Sequence, residues 1–299
     1  MPEVLSQAQI DEYREVGGIV VEGRLSQADL DEIRAAIARS YEEAQGLEAS
    51  TERLDLEDSH TPTKPRIRRI KLPHTQYEVF QRLMTSDAIL APARDLIGPD
   101  LRLHTTKLNM KSAGFGAAVE WHQDMAFYPH TNDDVLAIGV MIDDMGLENG
   151  PLMIFPGSHR GPTYDHHADG VFVGAVDLAA SGLNVQDAVA LTGPAGAISI
   201  HHGRVLHGSA LNRSDRDRRL LFYEMMAADS FPVMGSMTGF ASLEEYNERM
   251  LCGMPTIEPR LSDWPVRIPL PQPSERGSIY EIQKGLKHRG FSIYDSQER

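Results

Sequence analysis

At 299 residues the chain is long enough to bury a large core, and 41% hydrophobic with 24% charged residues is the composition of a folded protein, not a disordered one. Lys and Arg number 29 against 43 Asp and Glu, a formal charge of -14. That balance argues against a nucleic-acid or anionic-membrane binder, because such partners need a basic footprint. The single cysteine, Cys252, excludes an intrachain disulfide and a cysteine-rich metal centre. No apolar run approaches the roughly 20 residues that span a bilayer, and the polar stretch after Met1 lacks the basic start and apolar run of a secretory signal. The expectation is a cytoplasmic protein.

Taken in chain order, the N-terminal part reads as helix, short strand, helix. Ser6 and Ser26 stand three residues before Gln9 and Asp29, the spacing of a capping box. In the second helix Leu30, Ile33, Ile37 and Tyr41 form one apolar stripe. Residues 46–65 are polar and end in Pro62 and Pro65, which predicts a loop. A basic run follows, and helical patterning returns from about Gln76 to Ile97, with Ser86 as a cap and Gly98-Pro99 as the stop. Beyond Leu101 the pattern changes to short strands: Leu101 to Met110, Val135 to Ile142, Leu152 to Phe155, Ala197 to His201 and Leu220 to Met225. Turn residues at Asn149-Gly150, Pro156-Gly157 and Gly193-Pro194 separate them without regular helices, which predicts a jelly-roll or cupin-like barrel. The chain therefore reads as mainly β with bracing α-helices, one domain over 1–299. Its parts are helical support over about 1–100, a β core over about 101–230 and a C-terminal extension over about 231–299.

The chemistry is concentrated in Trp121-His122-Gln123-Asp124, where a strand runs into a loop. Residues two apart on an extended segment share a face, so His122 and Asp124 can converge on one metal. Such a pair is common by chance. A distant cluster, Ile200 to Ser209, offers a third ligand among His201, His202 and His207. Two imidazoles and one carboxylate on one face leave coordination positions open, the arrangement of non-haem Fe(II) oxygenases; zinc favours a closed tetrahedral site or a catalytic water, so the ligand set favours iron without excluding zinc. Further on, Arg218 and Arg219 introduce an apolar strand, and a guanidinium can grip a carboxylate through two parallel hydrogen bonds. Arg218 is the candidate, with Arg219 on the opposite face as an outer charge.

These motifs together make the chain resemble the phytanoyl-CoA dioxygenase family of Fe(II)/2-oxoglutarate oxygenases. The resemblance rests on His122-Gln123-Asp124, Glu148-Asn149-Gly150-Pro151-Leu152, Pro156-Gly157-Ser158-His159, and His207-Gly208-Ser209 followed by Arg218, across most of residues 8–230. It implies a double-stranded β-helix core with His122, Asp124 and His207 as catalytic metal ligands. It also implies that Arg218 and Ser209 hold the distal carboxylate of 2-oxoglutarate and that Lys107 and Asn109 are further cosubstrate-binding candidates, while His159 reads as a turn or surface histidine and not a ligand. Fe(II), 2-oxoglutarate and dioxygen are the implied cofactor and cosubstrates, with succinate and CO2 released as a substrate is hydroxylated. A carboxylate at Asp124 favours hydroxylation over halogenation.

Substrate candidates are a second matter. The run Lys64 to His74 is strongly basic for so acidic a chain, and Arg66, Arg68 and Arg69 are either a solvated strand or a hold for an anion. Phe127, Tyr128 and Asn132 follow the first two ligands and belong near the mouth of the site. A small polar or anionic molecule is expected, an aminophosphonate or a secondary metabolite. Two other classes stay open: a cupin-like metallohydrolase or isomerase using the same three ligands, which would not need Arg218 with Ser209, and a non-catalytic ligand-binding barrel.

Overall fold

The computed structural model describes residues 2–114, 116–234, 240–274 and 278–291. Helix α1 (Gln7–Val16), strand β1 (Gly18–Val21) and helix α2 (Gln27–Glu43) open the chain as the capping signals predict. Both capping boxes form: the Ser6 and Ser26 hydroxyls accept from the backbone of Gln9 and Asp29, whose side chains reach back. The loop expected over 46–65 contains a strand, β2 (Leu54–Leu56), antiparallel to β3 (Ile67–Lys71). Its pattern is too short to announce itself. Tertiary pairing creates it, with Asp55 set between Arg69 at 2.5 Å and Lys71 at 2.8 Å. The helical stretch up to Ile97 divides into α3 (Glu78–Met84) and α4 (Asp87–Ile97) at Ser86, whose backbone is extended at the N-cap position (φ -81°, ψ 155°) while its hydroxyl donates back to Leu83 O and makes no cap bond to α4.

The β region follows as β4 (Leu101–Lys111), β5 (Val119–His122), β6 (Val135–Met141), β7 (Leu152–Ile154), β8 (His167–Ala168) and β9 (Val171–Phe172). Helix α5 (Leu178–Ser181) precedes β10 (Val189–Leu191), β11 (Ile198–His202), β12 (His207–Ser209) and β13 (Arg218–Ala227). Helix α6 (Leu243–Asn247), strand β14 (Met250–Cys252) and helix α7 (Ile279–Ile282) lie in the C-terminal extension, part of which falls outside the described residues. Among the described residues the large antiparallel sheet runs β1-β11-β6-β13-β4-β3-β2, with β14 also on β4, and the smaller one runs β10-β7-β12-β5. The two sheets give the cupin-like, double-stranded β-helix architecture. No helix among the described residues is long and apolar enough to cross a membrane.

Side-chain alternation assigns the two faces of the large sheet. In β13, Leu221, Tyr223 and Met225 join the core shared with α1 to α4, where Ile33, Ile37, Phe80 and Ile89 are fully buried. Their neighbours Arg218, Leu220, Phe222 and Glu224 point the other way, into a cavity between the sheets. The same holds in β4, where Leu108 and Met110 pack on the helices while Lys107, Asn109 and Lys111 face the cavity. Burial against the helices thus sets which polar side chains are turned inward.

Candidate active site

His122 ends β5 and His207 begins β12, and the antiparallel pairing places them directly opposite each other, with ring centroids 4.1 Å apart. Asp124 starts the turn after β5. That turn is pinned by Gln123, whose amide donates to Arg204 O at 2.7 Å and whose side-chain oxygen accepts from Tyr164 N at 2.8 Å. The Pro156-to-His159 motif supports β12 from behind: the Ser158 hydroxyl accepts from Leu206 N at 2.8 Å and donates to Phe155 O at 2.7 Å. His159 is buried and hydrogen-bonded to Arg14 O at the end of α1. It is therefore a turn histidine but not a surface one, because it is packed against the end of α1, and it is outside the His122, Asp124 and His207 cluster.

His122, Asp124 and His207 are buried and offer donor atoms within 4.8 Å of one another. Asp124 Oδ1 lies 3.7 Å from His122 Nε2 and 3.8 Å from His207 Nε2. These spans suit a single ion about 2.1 Å from each donor. Each histidine is fixed through its other nitrogen, His122 Nδ1 to Glu120 O at 2.7 Å and His207 Nδ1 to Val205 O at 2.9 Å. A backbone carbonyl accepts only from N–H, so Nε2 carries the lone pair, as a metal ligand requires. Burial lowers the His122 pKa to about 4 and, with the neighbouring His122, holds His207 well below its ordinary value. For Asp124 burial acts in the opposite sense but is outweighed by His207 and Lys107, so its carboxyl sits well below the usual range. Neutral imidazoles and an ionised carboxylate are the states that bind a divalent ion.

The cluster opens into a cavity of about 540 Å³. Arg218 lies at one wall, 2% exposed, with Nε and Nη2 both donating to Gly150 O at 3.1 and 2.6 Å. Gly150 has φ 69°, and a Cβ there would stand 2.4 Å from Ala210 O, which explains a glycine in the Asn149-Gly150 turn. No carboxylate among the described residues pairs with Arg218, and burial lowers its pKa to about 10. Beside it Lys111 donates to Ser209 O at 3.2 Å, and burial together with Arg218 drives its pKa well below the lysine value. Arg218 and Lys111 are thus two buried basic groups at the cavity with no carboxylate ion pair among the described residues, and the burial that disfavours charge on Lys111 leaves Arg218 as the cation there. Asn109 Oδ1 is buried nearby without a hydrogen-bond partner. Opposite, Lys107 Nζ is 2.5 Å from Glu224 Oε1, and the Tyr128 hydroxyl donates to Glu224 Oε2 at 2.9 Å.

The structure therefore brings His122, Asp124, His207, Arg218, Ser209, Lys107, Asn109, Arg69, Phe127 and Tyr128 to one cavity. It does not bring Arg66, Arg68 or Asn132 there. Arg68 is buried in ion pairs with Glu57 at 3.0 Å and Asp58 at 2.9 Å, and its guanidinium lies 4.9 Å from the centre of the Tyr280 ring. Arg66 donates to Ser59 Oγ at 3.0 Å. The Asn132 amide is taken up by Asp229 and Arg260 O, and its oxygen accepts from Asp134 N, so it shapes the turn. In the basic run the cavity-facing pair is Arg69 and Lys71, two apart as strand alternation requires. Lys111 was legible by the same rule, four residues beyond Lys107. The sequence carried no signal for Ile279 and Tyr280 of α7, which also line the cavity.

The profile of a family described as Phytanoyl-CoA dioxygenase (PhyH) matches residues 13–220. The chain is 33% identical over 284 residues to a protein of Stutzerimonas stutzeri named "Probable alpha-ketoglutarate-dependent hypophosphite dioxygenase", covering 94% of this chain and 98% of that one. It is also similar to EctD from S. alaskensis. The structure with bound Fe has a TM-score of 0.62 at 25% identity over 75% of this chain and 77% of that one. The one with 2-oxoglutarate and 5-hydroxyectoine has a TM-score of 0.60 at 25% identity over the same shares.

Proposed function

The chain belongs to the phytanoyl-CoA dioxygenase family and is an Fe(II)- and 2-oxoglutarate-dependent dioxygenase, and we propose that it hydroxylates a small phosphorus oxyanion or aminophosphonate with His122, Asp124 and His207 as the iron ligands. The observation that carries the residue assignment is the buried His-Asp-His cluster opening onto a cavity that Arg218 also lines, with no carboxylate paired to that arginine among the described residues. Bound iron supplies activation of dioxygen coupled to decarboxylation of 2-oxoglutarate, yielding succinate and CO2. The chain's own residues position and exclude. Arg218, Ser209 and Lys111 hold the distal carboxylate, and Asn109 donates its amide N–H toward the cosubstrate. Phe127, edge-on to His122 at 5.8 Å, keeps the wall beside the metal apolar. A metallohydrolase or a passive barrel has no use for the buried Arg218 guanidinium at this wall.

Charge supports the substrate class. The lining holds the basic side chains of Arg69, Lys71, Lys107, Lys111 and Arg218 beside Glu52, Asp124 and Glu224, with Asp55 paired to Arg69 and Lys71 and Glu224 to Lys107, so that Arg218 is the cation without a carboxylate ion pair among the described residues. A local concentration of basic groups in an acidic molecule favours anions where they bind. The relative named for hypophosphite is similar to this chain over nearly its full length. The test is succinate formation with iron and 2-oxoglutarate, offering hypophosphite, 2-aminoethylphosphonate, ectoine and L-proline separately. Stimulation by a phosphorus compound, with its oxidised product in matching amount, is expected. Stimulation by ectoine or proline alone overturns the substrate class.

A further inference from the structure

His201 stands on β11 against the metal cluster, in a different state from the two histidines already described. It is 1% exposed and lines the cavity. Its ring centre is 4.5 Å from that of His207 and 5.9 Å from the Phe222 ring. Neither ring nitrogen has a hydrogen-bond partner of good geometry among the described residues. A fully buried imidazole with both nitrogens unsatisfied is costly, and such groups in a folded protein call for an explanation.

Asp124 Oδ2 lies 3.4 Å from His201 Nε2. The other oxygen, Oδ1, is the one that faces His122 Nε2 and His207 Nε2. The two carboxylate oxygens thus look in different directions, one at the pair of fixed imidazoles and one at His201. The backbone locks on His122 and His207 have no counterpart at His201, whose Nδ1 has no partner. Its tautomer is free to place the proton on Nε2.

We infer that His201 is a positioning residue for the metal site, donating from Nε2 to Asp124 Oδ2 so that only Oδ1 is presented to the metal. This rests on the reading of His122, Asp124 and His207 as the ligands. His201 itself is not a ligand: its nitrogens do not fall in the compact donor cluster formed by the other three. A carboxylate held through one oxygen occupies one coordination position, and the positions needed by cosubstrate and dioxygen stay open. Partners that orient a ligand typically alter metal affinity by about 10–100-fold when removed.

The experiment uses Co(II) as the probe under anaerobic conditions, without cosubstrate or substrate, on wild type, His201→Phe, His201→Gln and His207→Ala. Phe keeps the planar bulk and removes the donor, while Gln restores an N–H near the Nε2 position. Dissociation constants and the visible spectrum of the Co(II)-saturated protein are measured, with melting of the apoprotein to register any loss of folding. His201→Phe is expected to weaken Co(II) at least tenfold and to change the saturated spectrum as the freed oxygen also coordinates. His201→Gln is expected to recover most of both. Wild-type affinity and spectrum in a folded His201→Phe overturn the inference. Loss in His201→Gln as complete as in His207→Ala also overturns it, because His201 would then be a ligand. If His207→Ala binds Co(II) like wild type, the ligand assignment beneath the inference has failed instead.

Discussion

Replacing Arg218 with Met keeps a long side chain and deletes the charge. In the folded protein the guanidinium spends two N–H groups on one acceptor, Gly150 O, and meets no carboxylate among the described residues. Its removal therefore leaves no orphaned charge. The cost is an unsatisfied carbonyl, about 1–3 kcal/mol, set against relief from burying a cation. The apoprotein is expected to melt within a few degrees of wild type. Cosubstrate binding is different, because truncating one partner of a buried charged pair costs about 2–5 kcal/mol, or about 30-fold to several thousand-fold in Kd. At a 2-oxoglutarate concentration of about 100 wild-type Kd, ligand stabilisation is about 2.7 kcal/mol, and a 30-fold weaker variant retains only about 0.9 kcal/mol. Calorimetric titration of the Fe(II)-loaded protein under anaerobic conditions, with the ligand-induced shift in unfolding midpoint, reads both quantities. Unchanged 2-oxoglutarate affinity in Arg218→Met, with loss in Arg219→Met, would refute the reasoning. Arg219 is held at 2.5 Å by Asp143 on the other face of β13.

Ala at His122 or Asp124 should sharply lower Fe(II) affinity and turnover, as should His207→Ala; full activity in His207→Ala would move the third ligand elsewhere. Arg69→Ala should weaken anion binding in a salt-dependent manner, whereas Arg68→Ala should cost about 3–5 kcal/mol of stability by leaving Glu57 buried without its partner. Identical effects of both on ligand affinity at low and high salt would remove the distinction between the two faces of β3. For pH, burial lowers His130 to about 4 and His166 to about 3, below the unfolded value of about 6.5. Above that value neither state is protonated. As pH falls the unfolded chain takes up protons first, so stability should drop from about pH 6.5 downward and be lost through the folded pKa values. Urea midpoints that stay level from pH 7 to pH 4.5 would contradict this.

The sequence by itself determined much of this protein through local rules. Ser6 and Ser26 start helices because their hydroxyls reach a backbone N–H three residues on. Alternation in Arg218-Arg219-Leu220-Leu221 sent one arginine inward and the other outward. The order of His122, Asp124 and His207 in family-like motifs singled out three residues that the fold gathers. What only tertiary structure decided depends on partners far along the chain. The basic run did not reveal that Arg68 is consumed by Glu57 and Asp58 while Arg69 and Lys71 face the cavity around Asp55. Strand β2 exists because β3 pairs with it, not because of its own three residues. Helix α7, with Tyr280 at the cavity wall, has no periodicity that points there, since a short helix gains its stability from the surface it lands on. The same holds for His201, one of three nearby histidines in sequence, whose relation to Asp124 arises only when β11 is laid beside the turn after β5. Local hydrogen bonds and side-chain periodicity act between neighbours and are written in the sequence; charge pairing and cavity lining act between elements and follow from their packing.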